Sequence, residues 1–104
     1  MKIALDAMGG DYAPAVTIEG AIETINDFEG IDIVLVGDEN LIKRELDSKD
    51  SKRYLPNRIS IKHASQVVGM DESPVVVIRK KRDSSISRAV ELVKSGEADA
   101  MVSA

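Results

Sequence analysis

Apolar residues come in short runs separated by turn-forming residues, and the spacing within the runs alternates between two patterns. Met1 to Leu5 is an apolar run halted by Asp6 and then by Gly9-Gly10, which predicts a buried strand followed by a turn. Pro14 suits the first turn of a helix, where its missing N–H is not needed. Val16, Ile18, Ala21, Ile22, Ile25 and Phe28 then recur at spacings of three and four, the stripe of an amphipathic helix that Gly30 ends. Ile31 to Val36 is a second apolar run, closed by Gly37-Asp38. A helix starting near Glu39 should carry Leu41, Ile42 and Leu46 inward. Asp47 to Arg53 is strongly polar and is the segment expected to be mobile. Pro56-Asn57 marks a turn, and Arg58 to Lys62 alternates apolar and polar residues as a strand does.

Ser73-Pro74 has the form of a cap and first helical residue leading into Val75 to Arg82, although three consecutive valines are poor helix formers. Asp83-Ser84-Ser85 can cap a further helix, with Ile86, Ala89, Val90 and Val93 on one face and Gly96 at its end. Ala98 to Val102 gives a last strand. Strands alternating with helices at this spacing predict βαβ units, hence an α/β fold with a mainly parallel sheet and flanking helices. No internal repeat, low-complexity tract or linker divides the chain, and 104 residues suffice for one domain but not two.

Composition narrows the chemistry. Aromatic residues make up 3% of the chain, with no Trp, so the core must be aliphatic and base-stacking platforms are nearly absent. A net charge of −4 also argues against a nucleic-acid binder, which needs a basic face to neutralise phosphates. Cysteine is absent, which excludes disulfides, thiolate metal sites and a Cys nucleophile. Asp6 interrupts the N-terminal run too early for a signal peptide, and no apolar run is long enough to span a bilayer. The expected location is cytoplasmic.

In an open α/β sheet, ligands gather at the carboxyl ends of the strands. Asp6 to Asp11, Gly37-Asp38, His63 and Ser103 all fall there. Gly9 and Gly10 permit close backbone approach to a ligand, and Asp6 and Asp11 can hold a cation or orient a nucleophile. Equally, the loop can be a tight turn whose acids cap the next helix. It has neither the dinucleotide-binding nor the Walker A glycine spacing. The basic run Arg79-Lys80-Lys81-Arg82 leads into the helix start at Asp83-Ser84-Ser85. Free N–H groups, the helix dipole, Ser hydroxyls and cationic side chains there suit an anion, phosphate above all. A solvated basic helix end with a plain cap is the competing account. His63, the only histidine, can act as a general base or bind phosphate, or it can be structural; with no second His and no Cys, a zinc site is disfavoured. No serine lies in a G-x-S-x-G context.

Together these segments resemble the bacterial phosphate acyltransferases, the PlsX family. The resemblance rests on Ile3-Ala4-Leu5-Asp6-Ala7-Met8-Gly9-Gly10-Asp11 with Ala13-Pro14, then Val36-Gly37-Asp38, His63-Ala64 and Met70-Asp71-Glu72-Ser73-Pro74. The basic run with Asp83-Ser84-Ser85 and the closing Ala98-Asp99-Ala100-Met101-Val102-Ser103-Ala104 complete it. It implies a three-layer fold similar to the isocitrate/isopropylmalate dehydrogenases and phosphotransacetylase. It further implies transfer of an acyl chain from acyl carrier protein to inorganic phosphate, giving acyl phosphate for phospholipid synthesis. No organic cofactor is implied; a homodimer and peripheral association with the inner face of the membrane are. Phosphate contacts are then expected from Gly9, Gly10, Lys81, Arg82, Ser84, Ser85 and Ser103, with His63, Asp6 and Asp11 as catalytic candidates lining the same cleft.

Two departures accompany the resemblance. Arg82 stands where the family has a second lysine, replacing a point charge with a planar fork. The chain also stops at Ser103-Ala104, where the family continues into a Gly-Asn-Thr-Gly loop and a longer second portion. Residues 1–104 are therefore expected to be the N-terminal α/β portion of a larger catalytic domain, inactive alone. The alternatives are a related acyl- or acetyl-phosphate enzyme, such as the PlsX-like component of clostridial glycine reductase, and a free-standing anion-binding or interaction module. Because acyl carrier protein is acidic, Arg79 to Arg82 can instead be its docking patch.

Overall fold

A computed structural model describes residues 1–10, 12–49, 54, 56–66, 73, 76 and 80–103. Asp11, Arg79, Ala104, most of Met70 to Pro74 and half of the helix expected over Val75 to Arg82 lie outside the described residues, as does part of the polar stretch Asp47 to Arg53. Among the described residues four strands form one sheet: β1 (Lys2–Asp6), β2 (Asp32–Gly37), β3 (Ile59–His63) and β4 (Ala100–Val102). All neighbours are parallel, in the order β3-β2-β1-β4. A three-residue 3₁₀ turn, Pro56–Arg58, leads into β3 where the Pro-Asn pair predicts a turn.

Among the described residues three helices with given bounds flank the sheet: α1 (Ala15–Asp27), α2 (Glu39–Asp47) and α3 (Ser85–Lys94). Ile18, Ala21, Ile22 and Ile25 of α1 pack with Ile33, Leu35 and Ile42 on one face. Ala89 and Leu92 of α3 pack with Ala4, Val34 and Val36 on the other. The result is a three-layer α/β arrangement. The side change follows from right-handed crossovers: the chain lays β2 and β3 to one side of β1, then returns across it to place β4 on the other.

The helix starts are encoded locally. The Asp38 carboxylate accepts from the Asn40 and Leu41 N–H groups and caps α2, while the Ser84 hydroxyl accepts from Ser87 N–H and caps α3. Gly96, at φ 82°, turns the chain out of α3 as a C-terminal glycine does. Arg58 ties the turn between α1 and β2 down, donating to the carbonyls of Ile25 (2.6 Å), Phe28 (2.6 Å) and Ile31 and to Asp32 Oδ1.

Inward faces differ from the periodicity in three places. Val16 and Phe28, at the ends of the α1 stripe, are mostly exposed. Leu41 points outward and Ile42 alone of α2 is fully buried, with Leu46 packed at the margin. On α3 the buried residues are Ser85, Ser87, Ala89 and Leu92, and Ile86, Val90 and Val93 are half-buried beside them.

Candidate functional site

Strand order reverses at β1, so the switch point lies between the carboxyl ends of β1 and β4, where ligands of open α/β sheets bind. β1 ends at Asp6, and Ala7 N–H continues the pairing to the Val36 carbonyl at 2.9 Å. Met8 then crosses the end of β2. A Cβ at Gly37 would sit 2.5 Å from Met8 Cγ and 2.8 Å from its sulfur, so glycine is what lets the loop lie there. Gly10 has φ 92°, a left-handed conformation that disfavours any side chain. The Thr17 hydroxyl lies 2.6 Å from the Ala7 carbonyl and 2.9 Å from that of Pro14, and its single hydrogen serves one at a time.

Asp6 is 5% exposed. Its carboxylate accepts from Met8 N–H (3.1 Å) and from the Ser103 hydroxyl (2.8 Å), which reaches it from the end of β4. A buried carboxylate needs such donors, and here they join the first and last strands at the switch point. In this state Ser103 has given its one hydrogen to Asp6 and offers an incoming anion only lone pairs. Asp6 is therefore suited to hold Ser103 and the glycine turn in place rather than to touch an anion.

His63 ends β3, on the far side of β2 from Asp6, about 10 Å away across two strand spacings. Its Nδ1 accepts from Glu39 N–H at 3.1 Å, so the exposed ring supplements the Asp38 cap of α2. A neutral ring accepting at Nδ1 carries its proton on Nε2, where it can donate but not act as a base.

The α3 N-terminus reaches the same edge of the sheet through the segment after β3. Gln66 forms a parallel bridge with Ser84, its N–H donating to the Asp83 carbonyl (3.0 Å) and its side chain accepting from Asp83 N–H (2.8 Å). The Asp83 carboxylate accepts from the Ser65 hydroxyl and from Arg88 Nε at 2.8 Å. The Ser65 hydroxyl first, and then the Arg88 guanidinium, lower the Asp83 carboxyl to about 2. Asp83 thus spends its charge on Ser65 and Arg88. Lys80 and Arg82 are exposed. Ser84 is completely buried, and Ser85 is 6% exposed as the first helical residue. Helix geometry leaves the N–H groups of Ser85 and Ile86 without intrahelical partners.

The fold thus brings Asp6, Gly9, Gly10 and Ser103 together, places Lys81, Arg82, Ser84 and Ser85 at the same edge on the α3 side, and sets His63 apart at the head of α2. Sequence reading missed Ser65, Gln66 and Arg88, which fix the α3 start, and Met8, which seats the loop on Gly37. Only the spacing of Asp83 and Arg88 offered a local signal, since the other partners are 17 or 18 residues distant. Among the described residues no helix is long and apolar enough to cross a membrane.

Residues 1–104 match the family described as fatty acid synthesis protein. The chain is 47% identical over 104 residues to a phosphate acyltransferase of Clostridium botulinum (strain Loch Maree / Type A3), covering all of this chain and 30% of that protein. Similar matches are a phosphate acyltransferase of Fusobacterium nucleatum, 48% identical over 103 residues with 99% and 30% covered, and one of Francisella philomiragia, 52% identical over 107 residues with 99% and 31% covered. The chain spans about a third of the length of the curated relatives it matches.

Proposed function

Because this chain belongs to the fatty acid synthesis protein family, we propose that the protein containing it transfers an acyl group from acyl carrier protein to inorganic phosphate. The carrying observation is that the switch-point turn, with its Asp6–Ser103 bond, and the basic start of α3 converge on one edge of the sheet. An anion there meets the first-turn N–H groups of Ser85 and Ile86, the positive end of the α3 dipole, and Lys81 and Arg82. Gly9 and Gly10 let backbone approach the same anion, and Asp6 holds the turn. One oxygen of hydrogen phosphate bonds to the thioester carbonyl carbon, the C–S bond breaks, and the departing carrier thiolate takes the proton that phosphate gives up. Acyl phosphate and free carrier thiol result. The protein's work is orientation of phosphate and stabilisation of charge on the carbonyl oxygen.

Residues 1–104 alone are expected to be inactive, and the whole protein to be a cytoplasmic homodimer meeting the membrane peripherally. The test is acyl phosphate formation by the whole protein from acyl carrier thioester and phosphate. Lys81→Ser and Arg82→Ser should each raise the KM for phosphate about ten-fold or more, the loss of one charge-assisted contact. Unchanged phosphate KM in both variants sinks the α3 site.

A second reading is favoured by one observation: Lys80 and Arg82 are exposed, whereas Ser84 and Ser85 are buried. The basic run then docks the acidic carrier rather than phosphate. Neutralising Lys80 and Lys81 separates the two, since docking predicts weaker carrier binding with phosphate affinity intact.

A further inference from the structure

Arg88 follows Asp83 by five residues, a spacing that does not put two side chains on one face of a helix. They meet because Asp83 precedes α3 rather than belonging to it: Arg88 Nε donates to Asp83 Oδ1 at 2.8 Å. Glu91, three residues further along α3, accepts from Arg88 Nη1 at 2.9 Å and so holds the same guanidinium. The other carboxylate oxygen of Asp83 accepts from the Ser65 N–H at 3.2 Å and from the Ser65 hydroxyl.

Asp83 is therefore an anion immediately before a helix start that Ser84 caps, with its own oxygens given to Ser65 and Arg88. A carboxylate at this point is otherwise drawn to first-turn N–H groups, where negative charge is stabilised. Those of Ser85 and Ile86 are the ones the proposed phosphate uses. A released Asp83 carboxylate would compete with phosphate for them and repel it, because like charges this close interact even near a surface. With its carboxyl lowered to about 2, Asp83 stays ionised across the neutral range, so its placement is what keeps its charge out of the way.

We propose that Arg88 is a positioning residue for the anion site: it holds the Asp83 carboxylate against Ser65 and off the first turn of α3, which is thereby kept for phosphate. This role rests on the phosphate reading and adds to it a residue that itself touches no phosphate.

The test is the KM for inorganic phosphate in acyl phosphate formation by the whole protein. Arg88→Ala should raise it about ten-fold with kcat unchanged at saturating phosphate, the mark of lost ground-state binding. Arg88→Gln carries the same test where Arg88→Ala does not fold. Arg88→Lys keeps a cation beside Asp83 and should recover most of the loss. Adding Asp83→Asn to Arg88→Ala removes the competing charge and should return KM to within about two-fold of the wild type. A merely structural pair predicts the reverse, a double variant as impaired as Arg88→Ala or more so, and that result overturns the proposal. An Arg88→Ala KM equal to that of the wild type overturns it too. Lys81→Ser and Arg82→Ser separate this role from the reading beneath it. Unchanged KM in both of those ends the phosphate site and the role of Arg88 together. Raised KM in them beside a wild-type value in Arg88→Ala ends the role of Arg88 alone.

Discussion

Single residues carry two opposite electrostatic cases at the start of α3. Asp83 is held at about 2, below the ordinary carboxyl value of 3.8, by the Ser65 hydroxyl and the Arg88 guanidinium. Its folded value is the depressed one, so its contribution to stability is present above about pH 4 and is lost as pH falls from there toward 2. Urea unfolding should therefore show Asp83→Asn weaker than the wild type near neutral pH, with the two converging at the acid end. Ser87, four residues on, is the contrary case: its hydroxyl is buried and has no hydrogen-bond partner among the described residues. Ser87→Ala removes that unsatisfied group and improves helix propensity, so it should stabilise by about 1 kcal/mol, seen as a higher urea midpoint with an unchanged slope.

Elements are placed by contacts between their ends as much as by their apolar faces. The turn after β1 lies across β2 because Gly37 yields space to Met8. Gly37→Ala should cost about 1–3 kcal/mol through overpacking. Adding Met8→Ala should recover part of that loss, and a double-mutant cycle reads the coupling directly. The caps were legible in the chain: Asp38 before Glu39 and Ser84 before Ser85 are the residue types that accept from first-turn N–H groups. The role of His63 at α2 was not legible, because Glu39 lies 24 residues before it and only the β2–β3 register brings them together.

Over the whole molecule, hydrogen bonds between residues 97 positions apart, Ser103 to Asp6 and Lys2 with Asp99, join the first strand to the last. Ser103→Ala strips a donor from a carboxylate that is 5% exposed. It should cost about 1–3 kcal/mol, the penalty for leaving a buried charged group short of a partner, and thermal unfolding of the variant checks it. Because Asp6 ends β1 at the switch point, the same substitution should loosen the glycine turn on which the proposed anion site depends.

The sequence by itself determined the succession of strands and helices, their caps and the family, because periodicity, capping and turn chemistry act between residues a few positions apart. Its predicted stripes erred at the ends of the helices: Val16, Phe28 and Leu41 have the right spacing but are exposed among the described residues. Only the tertiary structure decided that β4 lies beside β1, that Asp6 meets Ser103 there, and that His63 stands apart at α2. Those are pairings between distant positions, which no local spacing encodes; they arise when the crossovers fold the chain back on its first strand.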